Sequence, residues 1–385
     1  MQLSDFFDPI PEPQAHNIYM PEEDSLKHQI KYGVVGDYCE EVLLNFEVAI
    51  IGIQDGKRPS GNKGGEDAGS VIRGNLVGLR SIPKSLRIID LGNIKGKTIN
   101  DRYFAICEVL EILSSLGIVV VTVGGGQDYV LPLVKGIVAH QKELAISIID
   151  ARLDFNITGS DFSGQTFLTK LAKDYNENIY ELNLIGGQKY LIGESQDAKL
   201  ADLHWECTRL RDIRNENMAA AEPLLRDADL VSFDVGAIQK EYMPYFSNIN
   251  VNGLTGYDAC RLAWYAGVGD SLKVFCLQEY NPKLDKSGKG AMLCAEIIWH
   301  LLDGISQNMS GLTMEGVGGC KISVVHLQDF DIDIRFYSNR VNNRWWIEVP
   351  WKNGVKMLAC DEKEYLLAKN GELPDKWWRF FQNDI

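Results

Sequence analysis

Histidine is scarce in this chain of 385 residues: only His16, His28, His140, His204, His300 and His326, no two of them neighbours. Zinc-type centres draw on local clusters of His and Cys, so this scatter argues against one. The eight cysteines (Cys39, Cys107, Cys207, Cys260, Cys276, Cys294, Cys320, Cys360) are equally dispersed, with no C-x-x-C. They predict reduced, mostly buried thiols rather than a disulfide frame. Positive charge is in deficit, with 39 Lys and Arg against 53 Asp and Glu and a formal net charge of -14. Nucleic acid and anionic membrane surfaces are therefore not expected as partners. No apolar run reaches spanning length, and Met1 to Pro9 has neither a basic n-region nor an apolar h-region. No membrane insertion and a cytoplasmic location are expected. The glycine-rich stretch from Gly56 to Gly65 lacks G-x-x-x-x-G-K-[ST], which rules out a P-loop there and leaves turns or a lid.

What is present is the composition of an ordinary globular protein, 45% hydrophobic and 24% charged. The length fits one large α/β domain with an appendage or two ordinary domains. Short apolar runs alternate with amphipathic stretches. Strands are predicted at Val48–Ile53, Leu86–Leu91, Gly117–Val123, Ile146 onward, Tyr180–Leu184, Asp229–Asp234 and Val274–Glu279. Helices are predicted at Asn100–Leu116, from Gln165 to Asn176, after the N-cap Thr255, and at Gly290–Leu302. Such alternation implies a mainly parallel sheet of roughly eight strands with helices on both faces.

The two ends of the chain differ from this middle. Residues 1–45 carry Pro11, Pro13 and Pro21 and a short predicted helix, Glu23 to Lys31, which together suggest a cap segment. Residues 46–317 form the α/β domain. From 318 to 385 the pattern turns antiparallel: Ile332–Tyr337 and Trp345–Val349 flank an Asn-rich turn, and five of the eight tryptophans lie here. Paired aromatics of this kind predict a small core or a docking face more readily than an exposed partner patch.

Polar groups gather where strands end, which is where ligands sit in open α/β sheets. Asp150, Arg152 and Asp154 alternate with Ala151 and Leu153, so an extended segment would point all three to one side. Gln127 follows Gly124-Gly-Gly, and Asp234 and Gly236 lie in Ser232-Phe-Asp-Val-Gly236. Taken one at a time, such acids are more often helix caps or solvated loop residues than catalysts.

In order and spacing these motifs resemble the ureohydrolase superfamily of arginases, agmatinases and formimidoylglutamases, whose members carry GGDH, DAHxD and SxDxDxxDP. The resemblance covers roughly residues 46 to 307. Asn62-Lys-Gly-Gly65, Gly253-Leu-Thr255 and Glu279 followed by Asn281-Pro282 make it most similar to a formimidoylglutamase-like branch. It implies a three-layer α-β-α arginase-like fold and a site in which two manganese ions, held by two histidines and four aspartates, activate a bridging hydroxide.

Carried over by position, Gln127 and Arg152 stand where the histidines would be, and Gly236 replaces an aspartate. Asp150, Asp154 and Asp234 remain of the six ligand positions, and Ser163 stands at the substrate-loop histidine. Arginine keeps its proton and offers no lone pair, and glycine offers no side chain. The resemblance so modified implies a degenerate metal site with no catalytic residue, no metal and no cofactor expected, and Glu279 and Asn62 as possible ligand contacts. Arg152 would take the metals' place among the acids. Two functions follow from it. One is a catalytically inactive binding, scaffold or regulatory protein that engages a protein partner or a second copy of itself. The alternative is an active manganese-dependent hydrolase of a linear amidine or guanidine.

Overall fold

The structure is a computed structural model that describes residues 2–16, 20–33, 38–55, 62–83, 86–155, 162–244, 251–308, 320–352 and 354–384. The glycine-rich stretch 56–61 and the expected junction at 317/318 lie outside the described residues. The strands are β1 (Phe7–Asp8), β2 (Ile30–Tyr32), β3 (Val48–Ile53), β4 (Ile88–Ile94), β5 (Val119–Gly124), β6 (Leu144–Ile149), β7 (Ile179–Gly187), β8 (Glu206–Arg209), β9 (Leu230–Asp234) and β10 (Val274–Gln278). A second set follows: β11 (Lys321–Leu327), β12 (Ile332–Asn339), β13 (Arg344–Trp351) and β14 (Gly354–Cys360).

β3 to β10 pair in the order β4-β3-β5-β10-β9-β6-β7-β8, every pair parallel, which gives the expected eight-stranded core. The N-terminal stretch does not simply lie over this sheet. β1 pairs antiparallel with the end of β4, and β2 pairs parallel with its start. The helix expected over 23–31 is instead two 3-10 turns, Glu22–Asp24 and Leu26–His28, leading into β2. Backbone pairing at the sheet edge outweighs the weak helical pattern there.

The central strands are buried end to end, as their Val- and Ile-rich runs require. Alternate residues feed opposite cores. Val121, Val231 and Phe275 join the helices Ala68–Leu76, Gly256–Gly267 and Lys289–Asn308 on one face. Val120, Leu230 and Val274 join Ile99–Ser115, Val130–Val138 and Phe167–Tyr175 on the other. The result is a three-layer α-β-α fold. Thr255 caps its helix as predicted: its Oγ1 accepts from the Asp258 N–H at 3.2 Å, and Asp258 Oδ2 accepts from the Thr255 N–H at 2.9 Å. Helices Gly256–Gly267 and Lys289–Asn308 meet at two glycines. A Cβ on Gly267 would sit 2.3 Å from the Leu301 carbonyl oxygen, so no larger residue fits that crossing.

β11 to β14 form a separate four-stranded antiparallel sheet with its own core, closed by the helices Glu362–Lys369 and Asp375–Asp384. Trp345, Trp346 and Trp377 are buried in it or against the body, whereas Trp378 is 42% exposed. This extension docks on the amino ends of β6, β7 and β9. Lys376, itself buried, reaches Glu181 of β7 at 3.0 Å and donates to the Ala359 carbonyl at 2.8 Å. Arg226 donates to the Trp345 and Cys360 carbonyls at 3.0 and 3.3 Å. Glu143 accepts from Lys352 and Lys356 at 2.6 and 3.0 Å; burial works against its charge, yet these two lysines hold its pKa down to about 2. The carboxyl ends of the strands stay clear of the extension.

The docking face also contains Asp227, whose Oδ2 accepts the Ala359 N–H at 2.6 Å. Burial pushes its carboxyl up to about 6, more than the nearby Lys376 can offset. The folded chain thus holds this proton more tightly than the unfolded chain, where aspartate titrates near about 4. The associated stability is complete below that value and is lost as pH rises through about 6. Asp227→Asn, which keeps the acceptor, is expected to lose less stability than the parent between pH 4.5 and 8, by on the order of 2 kcal/mol. Urea denaturation at the two pH values measures this, and parallel curves for parent and variant would contradict it.

Candidate active site

The site lies at the carboxyl ends of β5, β10, β9 and β6, adjacent in that order. β6 ends at Ile149, so Asp150, Ala151 and Arg152 lie in a bend rather than in the extended segment expected from their alternation. The Asp150 carboxylate closes the bend by accepting the Arg152 N–H at 3.0 Å. Ala151 and Leu153 are buried although the strand has ended, Leu153 within the core that contains Val130 and Phe167.

Asp150, Asp154 and Asp234 are all buried, as are Gln127, Gly236, Glu279 and Asn62; Arg152 is half-buried. Burial raises the pKa of all three aspartates, and well above the usual carboxylate range for Asp154 and Asp234. The Asp150 charge adds to both of those shifts, and so does Glu279. Arg152 opposes the shift at every one of the three. One guanidinium therefore serves three acids, which are close enough to sense it and each other. Asp234 also accepts the Gly236 N–H at 2.7 Å. Gln127 stands beside Asp150 and favours its charged form.

The second half of the site was joined in sequence only through the resemblance. Asn62 Nδ2 donates at 2.8 Å to both the side-chain and the backbone oxygen of Glu279, 217 positions away. Asn281 Nδ2 in turn donates to Asn62 Oδ1 at 2.8 Å. Glu279 takes a left-handed backbone, φ 67°, with its N–H bonded to the Gly125 carbonyl at 3.0 Å. A non-glycine residue in that region is strained and is held there by its partners. Gly164 is kept small by the same carboxylate, since a Cβ there would lie 3.1 Å from Glu279 Oε1. Ser163 sits beside it, its N–H bonded to Thr166 Oγ1 at 2.9 Å.

Sequence reasoning missed two supporting residues. Ser232 Oγ donates to Gln278 Oε1 at 2.7 Å, and Gln278 Nε2 donates to the Gly126 carbonyl at 2.8 Å, tying β9, β10 and the loop after β5 together. A buried Gln ending an apolar strand was the available signal.

Among the described residues no group of three or more His, Cys, Asp or Glu side chains is arranged to hold a metal ion. The donor set at this position does not fit a pair of divalent cations: Gln127, Arg152 and Gly236 supply an amide, a fixed positive charge and no side chain. Asp154 Oδ2 and Gln127 Nε2 are buried without a well-formed hydrogen bond, and both residues lie beside Asp150.

The Asn62–Glu279 contact gives a direct test of how this half is held. Asn62→Ala leaves a buried carboxylate and a buried carbonyl without their donor, and a loss of about 1–3 kcal/mol is expected in thermal or urea denaturation. A loss below about 0.5 kcal/mol would show that other groups hold Glu279 in place.

The chain matches the Arginase family over residues 46–303. Among known relatives, the formimidoylglutamase of Enterobacter sp. (strain 638) is 22% identical over 261 residues, covering 64% of this chain and 81% of that protein. The formimidoylglutamase of Staphylococcus haemolyticus (strain JCSC1435) is 22% identical over 264 residues, covering 65% and 82%. Among solved structures, Trypanosoma cruzi formiminoglutamase with Mn2+2 superposes with a TM-score of 0.62 at 18% identity, covering 69% of this chain and 98% of that one. The agmatine ureohydrolase of Thermoplasma volcanium gives 0.59 at 19% identity, covering 70% and 94%. With the family match covering β3 to β10 and most of the closing helix, the chain belongs to the Arginase family.

Proposed function

We propose that this protein keeps the arginase-family pocket as a ligand-binding site and does not carry out metal-dependent hydrolysis in it, serving instead as a binding, scaffold or regulatory protein. The observation that carries this is the donor set: Gln127, Arg152 and Gly236 in place of three ligands, with Arg152 acting on Asp150, Asp154 and Asp234 together. A bound cation lowers the pKa of water from about 16 to about 7 and makes it a nucleophile at neutral pH. A guanidinium has no vacant orbital for that water, and its charge opposes a cation beside it. The working partner under this proposal is a protein or a second copy of the chain, since the net charge of -14 disfavours nucleic acid.

A second function has support of a different kind. The named relatives are formimidoylglutamases, and one neighbour is described with manganese, which favours an active C–N hydrolase acting on a linear amidine or guanidine. The ordered Asn62–Glu279 pair is also what a retained substrate site would contain. Family and fold are common to both proposals, so only the donor set separates them.

The test uses the purified full chain, dialysed against manganese, with metal analysis alongside hydrolysis of formiminoglutamate and agmatine. Less than stoichiometric metal and turnover no higher than buffer are expected. Turnover that needs added manganese and disappears in Asp154→Ala would establish the hydrolase instead.

A further inference from the structure

The two edges of the small antiparallel sheet are finished differently. At β14 the edge is capped by side chains: the Ala359 N–H donates to Asp227 Oδ2 at 2.6 Å, and the Ala359 carbonyl accepts from Lys376 Nζ at 2.8 Å. β11, at the other edge, pairs only with β12. Among the described residues the one further backbone bond of Lys321–Leu327 is in the turn that follows, where the Leu327 carbonyl accepts the Phe330 N–H at 3.2 Å.

In an antiparallel pair every second residue turns its N–H and C=O away from the neighbouring strand, so β11 presents a row of open donors and acceptors. Sheet edges are commonly blunted by proline, by bulges or by charges along the strand. β11 carries none of these in its interior. Lys-Ile-Ser-Val-Val-His-Leu is rich in β-branched residues, keeps unbroken register with β12 over its whole length, and holds its one permanent charge at the first position. Ile322 and Val324, on its outer face, are 59% and 57% exposed. An edge of this kind accepts a further strand.

Charge selects which strand. Lys321 opens β11, and three acids follow its end: Asp329 and Asp331 in the turn and Asp333 in β12. Asp333 and Asp331 face the His326 ring, at 2.9 and 4.0 Å. Lys321 and Asp329 are both exposed and have no hydrogen bond or ion pair among the described residues. Two unspent charges of opposite sign thus mark the two ends of one open edge. A second copy added in parallel would set lysine beside lysine. Added antiparallel about Val325, it sets each Lys321 opposite the other copy's Asp329 and keeps Ile322 and Val324 of both copies on one face.

We propose that β11 is a self-association edge, at which two copies of this chain pair β11 to β11 antiparallel about a two-fold axis at Val325 and join their two small sheets into one. The contact is isologous, so the Lys321–Asp329 pairing occurs twice. A seven-residue edge buries less than the roughly 1,600 Å² of a standard interface, which makes the dimer weak and concentration-dependent. The proposal narrows the partner named above to a second copy. It stands apart from the chemistry of the acid cluster, because β11 belongs to the extension.

Sedimentation equilibrium of the full chain at about 0.15 M salt tests it. The mass is expected to rise with concentration toward twice 43.2 kDa. Lys321→Glu or Asp329→Lys alone sets like charges against each other at both ends, and dimerisation about tenfold weaker is expected for each. Asp329→Lys is the sharper variant, since it lowers the net negative charge and would strengthen any association limited by overall repulsion. The two reversals combined exchange the ends and are expected to recover association to within about threefold of the parent. Both side chains are exposed, so the monomer fold is not at stake. A parent that stays monomeric up to about 1 mM would overturn the proposal. So would a dimer that ignores either single reversal, or one that the combined reversal fails to restore.

Discussion

Three carboxylic acids buried at the carboxyl ends of β6 and β9 must either be protonated or sit beside positive charge, and Arg152 supplies positive charge that offsets part of the burial, all three pKa values staying raised. Much of the site follows from this constraint. Asp150 turns back on the Arg152 backbone, Asp234 takes the Gly236 N–H, and Asn62 donates to the carboxylate and the backbone carbonyl of Glu279. A divalent ion would meet the same need more strongly, but it would need anionic or imidazole ligands at the positions of Gln127, Arg152 and Gly236. Here Gln127 offers only a neutral amide oxygen, Gly236 no side chain, and Arg152 a fixed positive charge.

The opposite end of the sheet has the reverse arrangement. There acids are met by committed cations: Glu181 by Lys376, Glu222 by Arg226 and Arg344, and Glu143 by Lys352 and Lys356. A buried pair such as Lys376–Glu181 adds little net stability over well-packed apolar residues, yet removing one partner costs about 3–5 kcal/mol. It therefore fixes where the extension docks more than how tightly. The extension is held at the amino ends of the strands, and the acid cluster lies at their carboxyl ends.

The parallel core was legible in the sequence because strands buried on both faces must be nearly continuous apolar runs, and Val119–Gly124 and Leu144–Ile149 are such runs. Gln127, Asp150 and Asp234 were placed at strand ends for the same reason. The turn at Asp150–Asp154 was not, because Ala151 and Leu153 imitate strand alternation while being buried in a bend. β8 was missed since Glu206–Arg209 is half-buried throughout, with no apolar signal. β1 and β2 are two and three residues long and exist through pairing with β4. The docking of Lys376 was hidden for a different reason: a lysine in a charged helix looks solvated until its partner 195 positions earlier is known.

Whether Arg152 stands where cations would otherwise stand is the central question. A crystal of the full chain soaked in manganese and measured at the manganese absorption edge answers it directly. The account predicts guanidinium density among Asp150, Asp154 and Asp234 and no anomalous peak within coordination distance of those carboxylates. One or two such peaks, with Arg152 turned out of the cluster, would contradict it.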